Sequence, residues 1–346
     1  MVSSKRSVLV VLLGILLATF TFACGNSETI PLHTMDPKSD VTRDIQGLYI
    51  ILFWAATAVF FAVMIGLVYI TFKFKRKPSD SMPPQTHGNR PLEILWTILP
   101  SVILIVILIP TWQVIYKTAN APEGSMQITV TGNQWWWEIE YPELGVKTSN
   151  EVHVPIDVPV EVTLLSKDVI HAFWVPQITG KKDMVPGLEN KIWFTAEQLG
   201  TYYGVCVEFC GDSHANMKFE LIVDSAEDFE AWKTNELAKA IEPEGLAAEG
   251  MEIFNSKGCG GCHTIEGNPY ALGIQAPILT HIGSRNKIAA GMLENNANDI
   301  ANWIRNPEET KPGNLMTANG VMYNDNNYAL SENDIQALVA YIQSLK

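Results

Sequence analysis

The stretch CVEFCGDSHANM, residues 206 to 217, places two cysteines, a glutamate, a histidine and a methionine within twelve positions. Thiolate and thioether sulfur are soft ligands and imidazole is borderline, so this set of side chains favours copper over magnesium or calcium. A mononuclear blue copper site takes one cysteine, two histidines and an axial methionine. The stretch therefore has one cysteine too many and one histidine too few. His171, within DVIHAFW (168–174), is the candidate for the missing histidine.

Two thiolates, two imidazoles and one thioether can serve two copper ions if each cysteine bridges both metals. Sharing one electron between two metals spreads the change in geometry, so electron transfer needs little reorganisation. Three alternatives remain open for the cysteines: a mononuclear copper site with a spare thiol, a zinc site formed by two cysteines and a histidine, and disulfides. The chain has five cysteines, an odd number, and both cysteine pairs stand beside other metal-binding side chains, which disfavours disulfides.

The sequence around the stretch predicts a β-sandwich. Between Met126 and Val223, short stretches of alternating polarity such as QITV (127–130) and KFELIV (218–223) are separated by Gly, Pro and Asn. Regularly spaced short strands of this kind are typical of a sandwich or barrel of about 100 residues. The candidate metal ligands then lie on the connection between two strands.

Two uncharged or nearly uncharged runs, 47–72 and 92–116, precede this region. Each is long enough to cross a bilayer as a helix. Residues 73–90 between them carry five Lys and Arg and one Asp, which places this loop in the cytoplasm and the rest of the chain outside. Pro100 and Pro110 interrupt the second run, and we expect Pro110 to mark its outer end.

The N-terminus has the features of a secretory signal. Lys5 and Arg6 precede an apolar run from Val8 to Ala23, which is marginal in length for a membrane span. The run ends in TFACG (21–25), which resembles a bacterial lipoprotein cleavage site, and this predicts lipidation of Cys24. An uncleaved anchor with an incidental cysteine is the alternative.

The stretch 206–217 resembles the dinuclear copper (CuA) loop of cytochrome c oxidase subunit II. HGNRPLEILWTILP (87–100) and GNQWWW (132–137) also match that family, and the resemblance covers residues 40–223 almost continuously. The copper ligands that this resemblance implies are His171, Cys206, the main-chain carbonyl of Glu208, Cys210, His214 and Met217.

The same resemblance implies three further roles. The carboxylate of Glu208 would bind a magnesium ion shared with the catalytic subunit, for which a hard oxygen ligand is suitable; a solvated loop acid is the alternative. Trp135 would be the aromatic residue through which electrons reach copper, while core packing accounts for one or two of the three adjacent tryptophans. Glu93, at the cytoplasmic end of the second span, would lie at a proton-uptake entrance, unless it only extends to the membrane surface.

The C-terminal third contains a second redox motif, Cys259-Gly-Gly-Cys262-His263. The pattern Cys-x-x-Cys-His is the attachment signature of c-type haem, with zinc or a redox dithiol as alternatives. Amphipathic helices on either side make residues 244–346 resemble a small class I cytochrome c. The sixth iron ligand is expected to be Met316, which lies in a turn-rich loop before the last helix, with Met322 as the next choice. Met292 and His281 are the remaining downstream candidates.

These features divide the chain into eight segments. They are a signal peptide (1–23), an external segment (24–46), transmembrane helix 1 (47–72), a cytoplasmic loop (73–91), transmembrane helix 2 (92–116), a cupredoxin-like CuA domain (125–224), a linker helix (225–243) and an all-α cytochrome c domain (244–346). The net charge is −13, and residues 225–346 hold 16 Asp and Glu against 8 Lys and Arg. This acidity excludes a nucleic-acid partner and favours a basic protein partner.

The resemblance is to bacterial oxidases whose second subunit carries a fused cytochrome c. It implies that a donor cytochrome c reduces the haem, that the electron passes to copper, and that a separate haem-copper subunit I reduces oxygen to water and pumps protons. The chain lacks the intramembrane histidines that oxygen reduction would require. The alternatives are the copper-containing subunit of a nitric oxide reductase and a membrane-anchored electron carrier without an oxidase partner. A quinol oxidase subunit is disfavoured because that branch lacks the copper loop.

Overall fold

The computed structural model describes residues 31–346 apart from 77, 79, 80, 83, 84 and 86. The predicted signal peptide and the predicted lipidation of Cys24 lie outside the described residues. Within them the predicted architecture is confirmed: two long apolar helices, a β-sandwich and a helical C-terminal domain follow one another along the chain.

The two N-terminal helices are α1 (Asp40–Lys73) and α2 (Arg90–Thr118). Both are long and apolar enough to cross a membrane, by length and composition. Helix α1 begins well before its apolar run because Ser39 caps it, and the Ser39 hydroxyl also donates to the carbonyl of Ile178 in the sandwich at 2.7 Å. The hairpin is thus anchored to the sandwich. Helix α2 continues past both of its prolines to Thr118.

The sandwich contains ten strands in two five-stranded sheets. The strands are β1 (Met126–Asn133), β2 (Trp136–Tyr141), β3 (Val146–Ser149), β4 (Glu151–Pro155), β5 (Pro159–Ser166), β6 (His171–Trp174), β7 (Lys182–Met184), β8 (Asn190–Thr195), β9 (Gly200–Cys206) and β10 (Lys218–Asp224). One sheet has the order β3-β2-β1-β5-β8 and the other has the order β4-β10-β9-β6-β7. The pairs β1–β5 and β4–β10 are parallel.

The alternating burial along β1, β2 and β5 shows why these residues form a sandwich: every second side chain enters the core. Trp137 is fully buried, with its ring centroid 5.9 Å from that of Phe173 and 5.0 Å from that of Phe219. Strand β9 ends at Cys206 and β10 begins at Lys218. The stretch with the candidate ligands is therefore the β9–β10 connection, as the alternation predicts.

Helix α3 (Ala226–Glu236) follows the sandwich and packs against it. Its Trp232 stacks on His153 of β4, with ring centroids 4.5 Å apart and an interplanar angle of 12°. Phe229 of the same helix is buried. The segment expected to be a linker is thus fixed to the surface of the copper domain over most of its length.

The C-terminal domain is built mainly from helices. They are α4 (Leu246–Ser256), α5 (Ala297–Arg305), α6 (Pro307–Thr310), α7 (Leu315–Asn319), α8 (Val321–Asn324) and α9 (Glu332–Ser344), with a short pairing of β11 (Lys287–Ile288) and β12 (Leu293–Glu294). Ser331 caps α9 in a capping box with Asp334. Helices α4 and α9 cross closely at Gly250, where an added Cβ would lie 2.0 Å from the carbonyl oxygen of Ala337.

Candidate metal and haem sites

The β9–β10 connection brings both of its cysteine sulfurs together inside the sandwich. The Sγ atoms of Cys206 and Cys210 are 3.8 Å apart, and both residues are buried. The Cys210 sulfur lies 3.4 Å from Nδ1 of His214 and 3.9 Å from Sδ of Met217. A short 3₁₀ turn over His214–Asn216 folds the loop back so that these side chains converge.

The remaining two candidate ligands reach the other cysteine. The sulfur of Cys206 lies 3.3 Å from the carbonyl oxygen of Glu208 and 3.9 Å from Nδ1 of His171. His171, Cys206 and Cys210 form a buried cluster whose ligand atoms lie within 4.8 Å of one another. All six groups expected to bind copper therefore occupy one pocket.

His171 is oriented by a neighbour that the sequence did not reveal. Its Nε2 lies 2.8 Å from Oδ1 of Asp168, while Oδ2 of the same carboxylate accepts the main-chain N–H of Gln134 at 2.7 Å. Burial disfavours charge on His171, but hydrogen bonding to Asp168 and Cys206 outweighs burial and raises its pKa. In the neutral ring, Nε2 donates to Asp168 and the lone pair of Nδ1 faces the sulfur of Cys206. Gly132 leaves room for the ring, since a Cβ there would lie 2.8 Å from His171 Cδ2.

The two thiols have opposite tendencies to ionise. Hydrogen bonding from Cys210, together with that from His171, lowers the pKa of Cys206, whereas the proximity of Cys206 raises the pKa of Cys210. One thiolate forms readily, and a cation placed between the sulfurs would stabilise the second. The candidate ligands are two cysteine sulfurs, two imidazoles, a thioether and a carbonyl, and they are largely shielded from water. Such a set suits copper rather than a hard ion.

Trp135 connects the copper loop to the C-terminal domain. Its indole Nε1 donates to the carbonyl of Cys210 at 3.0 Å, and the side-chain amide of Gln134 donates to the same oxygen at 2.7 Å. Trp135 is only 8% exposed, and the loop at Gly313 lies against its ring. The C-terminal domain of the chain itself covers this face of the sandwich.

Two hydrogen bonds from the copper loop to the C-terminal domain hold this arrangement in place. The Ser213 hydroxyl donates to the carbonyl of Pro312 at 2.8 Å, and the Asn216 amide donates to the carbonyl of Thr310 at 3.2 Å. Both donors belong to the copper loop and both acceptors precede the predicted axial residue Met316. The loop with the candidate copper ligands (206–217) is therefore in direct contact with the segment 310–312, just before Met316.

The carboxylates of Glu208 and Glu93 have surroundings different from those of the candidate copper ligands. The carboxylate of Glu208 is partly exposed and lies 3.5 Å from the ammonium of Lys181. Glu93 lies in the first turn of α2, where its carboxylate accepts the main-chain N–H of Asn89 at 3.1 Å. This contact gives Glu93 a role in capping the helix.

A cavity of about 250 Å³ lies between the C-terminal domain and the sandwich. Cys259, Cys262 and His263 line it from one side, and Trp135 and Trp136 line it from the other. Both Met316 and Met322 line it as well, whereas His281 and Met292 do not. His281 instead places Nε2 2.9 Å from the carbonyl of Ala238.

The cavity has the chemistry that a haem requires. Nδ1 of His263 lies 2.7 Å from the carbonyl of Pro277, and donation there leaves Nε2 free to bind iron. Burial lowers the pKa of His263, which keeps the imidazole neutral. Arg285 also lines the cavity, and its buried Nε and Nη1 have no hydrogen-bond partner among the described residues. An anionic group such as a haem carboxylate suits these donors.

Comparison with known proteins covers nearly the whole chain. Residues 27–114 match the transmembrane domain of cytochrome c oxidase subunit II, residues 143–225 match its periplasmic domain and residues 247–346 match cytochrome c. The chain is 38% identical to cytochrome c oxidase subunit 2 of Alkalihalophilus pseudofirmus over 95% of both chains. It is 33% identical to cytochrome c oxidase subunit 2 of Bacillus subtilis over 91% of this chain and 92% of that one.

A quinol oxidase subunit 2 from Bacillus cereus matches less of the chain, at 31% identity over 58% of this chain and 72% of that one. The two long matches and the three matched regions agree with the architecture of the chain. The chain belongs to the family of cytochrome c oxidase subunit 2, in a form that ends in a cytochrome c domain.

Proposed function

We propose that this chain is the subunit through which electrons enter a haem-copper terminal oxidase. It accepts electrons from a donor cytochrome c, passes them through its own haem c and dinuclear CuA sites, and delivers them to subunit I. There oxygen is reduced to water, coupled to proton pumping. Both redox domains lie on the outer face of a bacterial cell membrane, anchored by α1 and α2.

The observation that carries the proposal is the convergence at the β9–β10 connection. Six ligand groups from two strands and one loop meet at contact distance, and the carbonyl of Cys210 accepts a hydrogen bond from Trp135. Trp135 also lines the cavity that contains Cys259 and Cys262. One side chain therefore joins the copper loop to the haem cavity.

At the copper site, Cys206, Cys210, His171 and His214 would hold the two ions, since their ligand atoms converge in one place. Met217 and the Glu208 carbonyl complete the set. Copper bound in this way supplies one-electron chemistry with little reorganisation. Asp168 holds His171 in the tautomer that presents Nδ1, and the surrounding sandwich excludes water.

At the haem site, the thiols of Cys259 and Cys262 would hold the porphyrin covalently and His263 would bind the iron, with its ring held by the carbonyl of Pro277. Met316 would be the second iron ligand, with Met322 as the alternative from the same cavity wall. The iron supplies reversible one-electron chemistry, and thioether ligation raises its potential.

Four further assignments belong to this proposal. The carboxylate of Glu208, which is partly exposed and beside Lys181, contributes to a magnesium site shared with subunit I. Glu93 lies at a proton-uptake entrance while its carboxylate caps α2. The N-terminal 23 residues act as a signal peptide, and Cys24 carries lipid.

Electron paramagnetic resonance of the oxidised full-length chain in detergent tests the copper assignment. Delocalised mixed valence is expected, with two coppers and one covalently bound haem per chain by metal analysis and visible spectroscopy. The hyperfine pattern of an isolated cupric ion, a single copper per chain or stoichiometric zinc would refute it. The proposed role in an oxidase is tested separately, by measuring whether the purified complex consumes oxygen or nitric oxide.

A further inference from the structure

Lys311 of the C-terminal domain is buried at the junction with the sandwich. It directly follows α6 and is only 4% exposed. Its ammonium donates to the carbonyl oxygen of Trp135 and lies 3.4 Å from the carbonyl oxygen of Ala289. The side chain therefore reaches across from one domain to the main chain of the other.

The charge of Lys311 is not balanced by an acid within the described part of the chain. None of the ion pairs there includes Lys311. Burial lowers its pKa to about 7, and the thiol of Cys210 opposes this only in part. An ammonium has three N–H donors, and two neutral carbonyls leave one donor and the whole charge uncompensated. A buried charge of this kind is costly unless an anion pairs with it.

The cavity that Lys311 lines indicates which anion this is. The same cavity contains Cys259, Cys262 and His263. A haem attached to the two cysteines through its vinyl edge carries its two carboxylates on the opposite edge. Arg285 lines the cavity too and its free donors suit one of these carboxylates, although Glu236 and Glu151 already act on its charge. Lys311 has no acidic partner among the described residues, so it is available for the other carboxylate.

We infer that Lys311 is a positioning residue that binds a haem carboxylate and holds this edge of the haem against Trp135. This inference rests on the proposed function, because it requires a haem at Cys259 and Cys262. Through Lys311, the haem edge is connected to the main chain of Trp135, whose indole is hydrogen-bonded to Cys210. The ammonium thus fixes both the position of the haem and the contact between the two domains.

Replacing Lys311 with methionine in the haem- and copper-loaded full-length chain tests this assignment. The substitution keeps most of the volume and removes the charge. Because a nearby positive charge disfavours the oxidised haem, we expect the haem reduction potential to fall. After photochemical reduction of the haem, the rate of electron transfer to copper is expected to fall about tenfold despite the larger driving force, because the haem edge is no longer held against Trp135. The infrared bands of the haem carboxylates in redox difference spectra are expected to shift.

Lys311→Arg keeps the charge and is expected to restore the potential. Lys239→Met makes the same substitution at an exposed lysine of the linker segment, 225–243. It is the matched control and is expected to leave the haem potential, the electron-transfer rate and the infrared bands unchanged. Equal values for Lys311→Met and Lys239→Met would overturn the assignment. If Lys311→Met does not retain haem, Lys311→Arg is expected to retain it with the native potential; failure of both would show that charge is not the requirement.

Failure of this inference is distinguishable from failure of the proposed function. If the unsubstituted chain shows both the haem spectrum and the copper resonance but Lys311→Met behaves like the control, only the role of Lys311 is refuted. If the unsubstituted chain has no covalent haem, the proposed function itself fails at this site.

Discussion

The indole nitrogen of Trp135 and the carbonyl oxygen of Cys210 are joined by a hydrogen bond of 3.0 Å. Trp135 also forms part of the wall of the haem cavity. A single residue of the sandwich therefore touches the copper loop on one side and the haem site on the other. Trp135 lies between β1 and β2, and Cys210 lies in the short β9–β10 connection. The packing of these two parts of the sandwich brings the residues into contact.

Trp135→Phe is expected to slow electron transfer from haem to copper while leaving the copper site intact. Phenylalanine keeps a ring in the cavity wall but cannot donate to Cys210, whose carbonyl retains its bond from Gln134. Loss of one hydrogen bond costs about 1 kcal/mol of stability. Flash-induced reduction of the haem measures the rate, and paramagnetic resonance checks the copper. An unchanged rate with intact copper would contradict the assigned role.

Asp168→Asn is expected to weaken copper binding by about 10- to 100-fold, the usual effect of removing the outer partner of a metal-bound histidine. The amide has only one acceptor oxygen in place of the two that contact His171 and Gln134, so its hold on the tautomer that directs Nδ1 toward Cys206 is weaker. Competition with a copper chelator measures the affinity. Asp183→Asn, at a carboxylate that pairs with Lys181 on the surface, is the control. Equal affinities for the two variants would exclude a positioning role for Asp168.

Substitution of the two methionines in the haem cavity distinguishes the axial ligand. Met316→Ala is expected to lower the haem reduction potential markedly, because thioether ligation favours the reduced iron. Met322→Ala is expected to leave the potential near its native value. Redox titration followed by visible absorption measures both. The reverse result would assign the ligand to Met322.

Gly250→Ala is expected to destabilise the C-terminal domain. The added methyl group would lie 2.0 Å from the carbonyl of Ala337, so α4 and α9 must separate. Overpacking of this kind costs about 1–3 kcal/mol. Thermal unfolding followed by the haem absorption measures the change. Gly261→Ala, where an added Cβ meets no atom within 4 Å, is expected to be neutral, and equal melting temperatures would contradict the packing argument.

Stability is expected to depend on pH through His153. Burial opposes its protonation, but the interactions with Asp224 and Glu151 outweigh burial and raise its pKa. The folded state therefore binds a proton more tightly than the unfolded state, whose histidine pKa is about 6.5. The resulting stabilisation is complete below that pH and is lost as the pH rises through the folded pKa.

His153→Gln is expected to flatten this part of the pH profile. Melting temperatures of the full chain, measured from mildly acidic to mildly alkaline pH, give the profile. Other groups titrate in the same range, so the difference between the two proteins is the informative quantity. If the melting temperature of His153→Gln depends on pH in the same way as that of the unsubstituted chain, the contact between His153 and Asp224 is not the source of the pH dependence.

Much of the fold and the metal-binding set follows from local sequence. The twelve residues from Cys206 carry five of the six candidate copper ligands, and strand alternation places them on one connection. The motif at Cys259 likewise defines the haem attachment point without reference to the rest of the chain. Such sets are predictable because the chemistry requires particular side chains at short, fixed spacings.

The residues that support these sites could not be predicted in the same way. Asp168 lies only three positions before His171, a spacing that could have suggested its role, but an acid before a strand is common. Lys311 and Trp135 are 176 positions apart, and only the docking of the two domains brings them together. Trp232 was assigned to a linker because its partner, His153, belongs to a distant strand.

The shared wall of the haem cavity has a kinetic consequence. Because Trp135 and Trp136 help to enclose the haem site, the internal donor does not diffuse to its acceptor, and its effective concentration is set by the covalent tether. Transfer from haem to copper should therefore be independent of dilution and nearly insensitive to ionic strength. Only the encounter with the external donor should respond to salt, since it depends on long-range attraction to the acidic C-terminal domain.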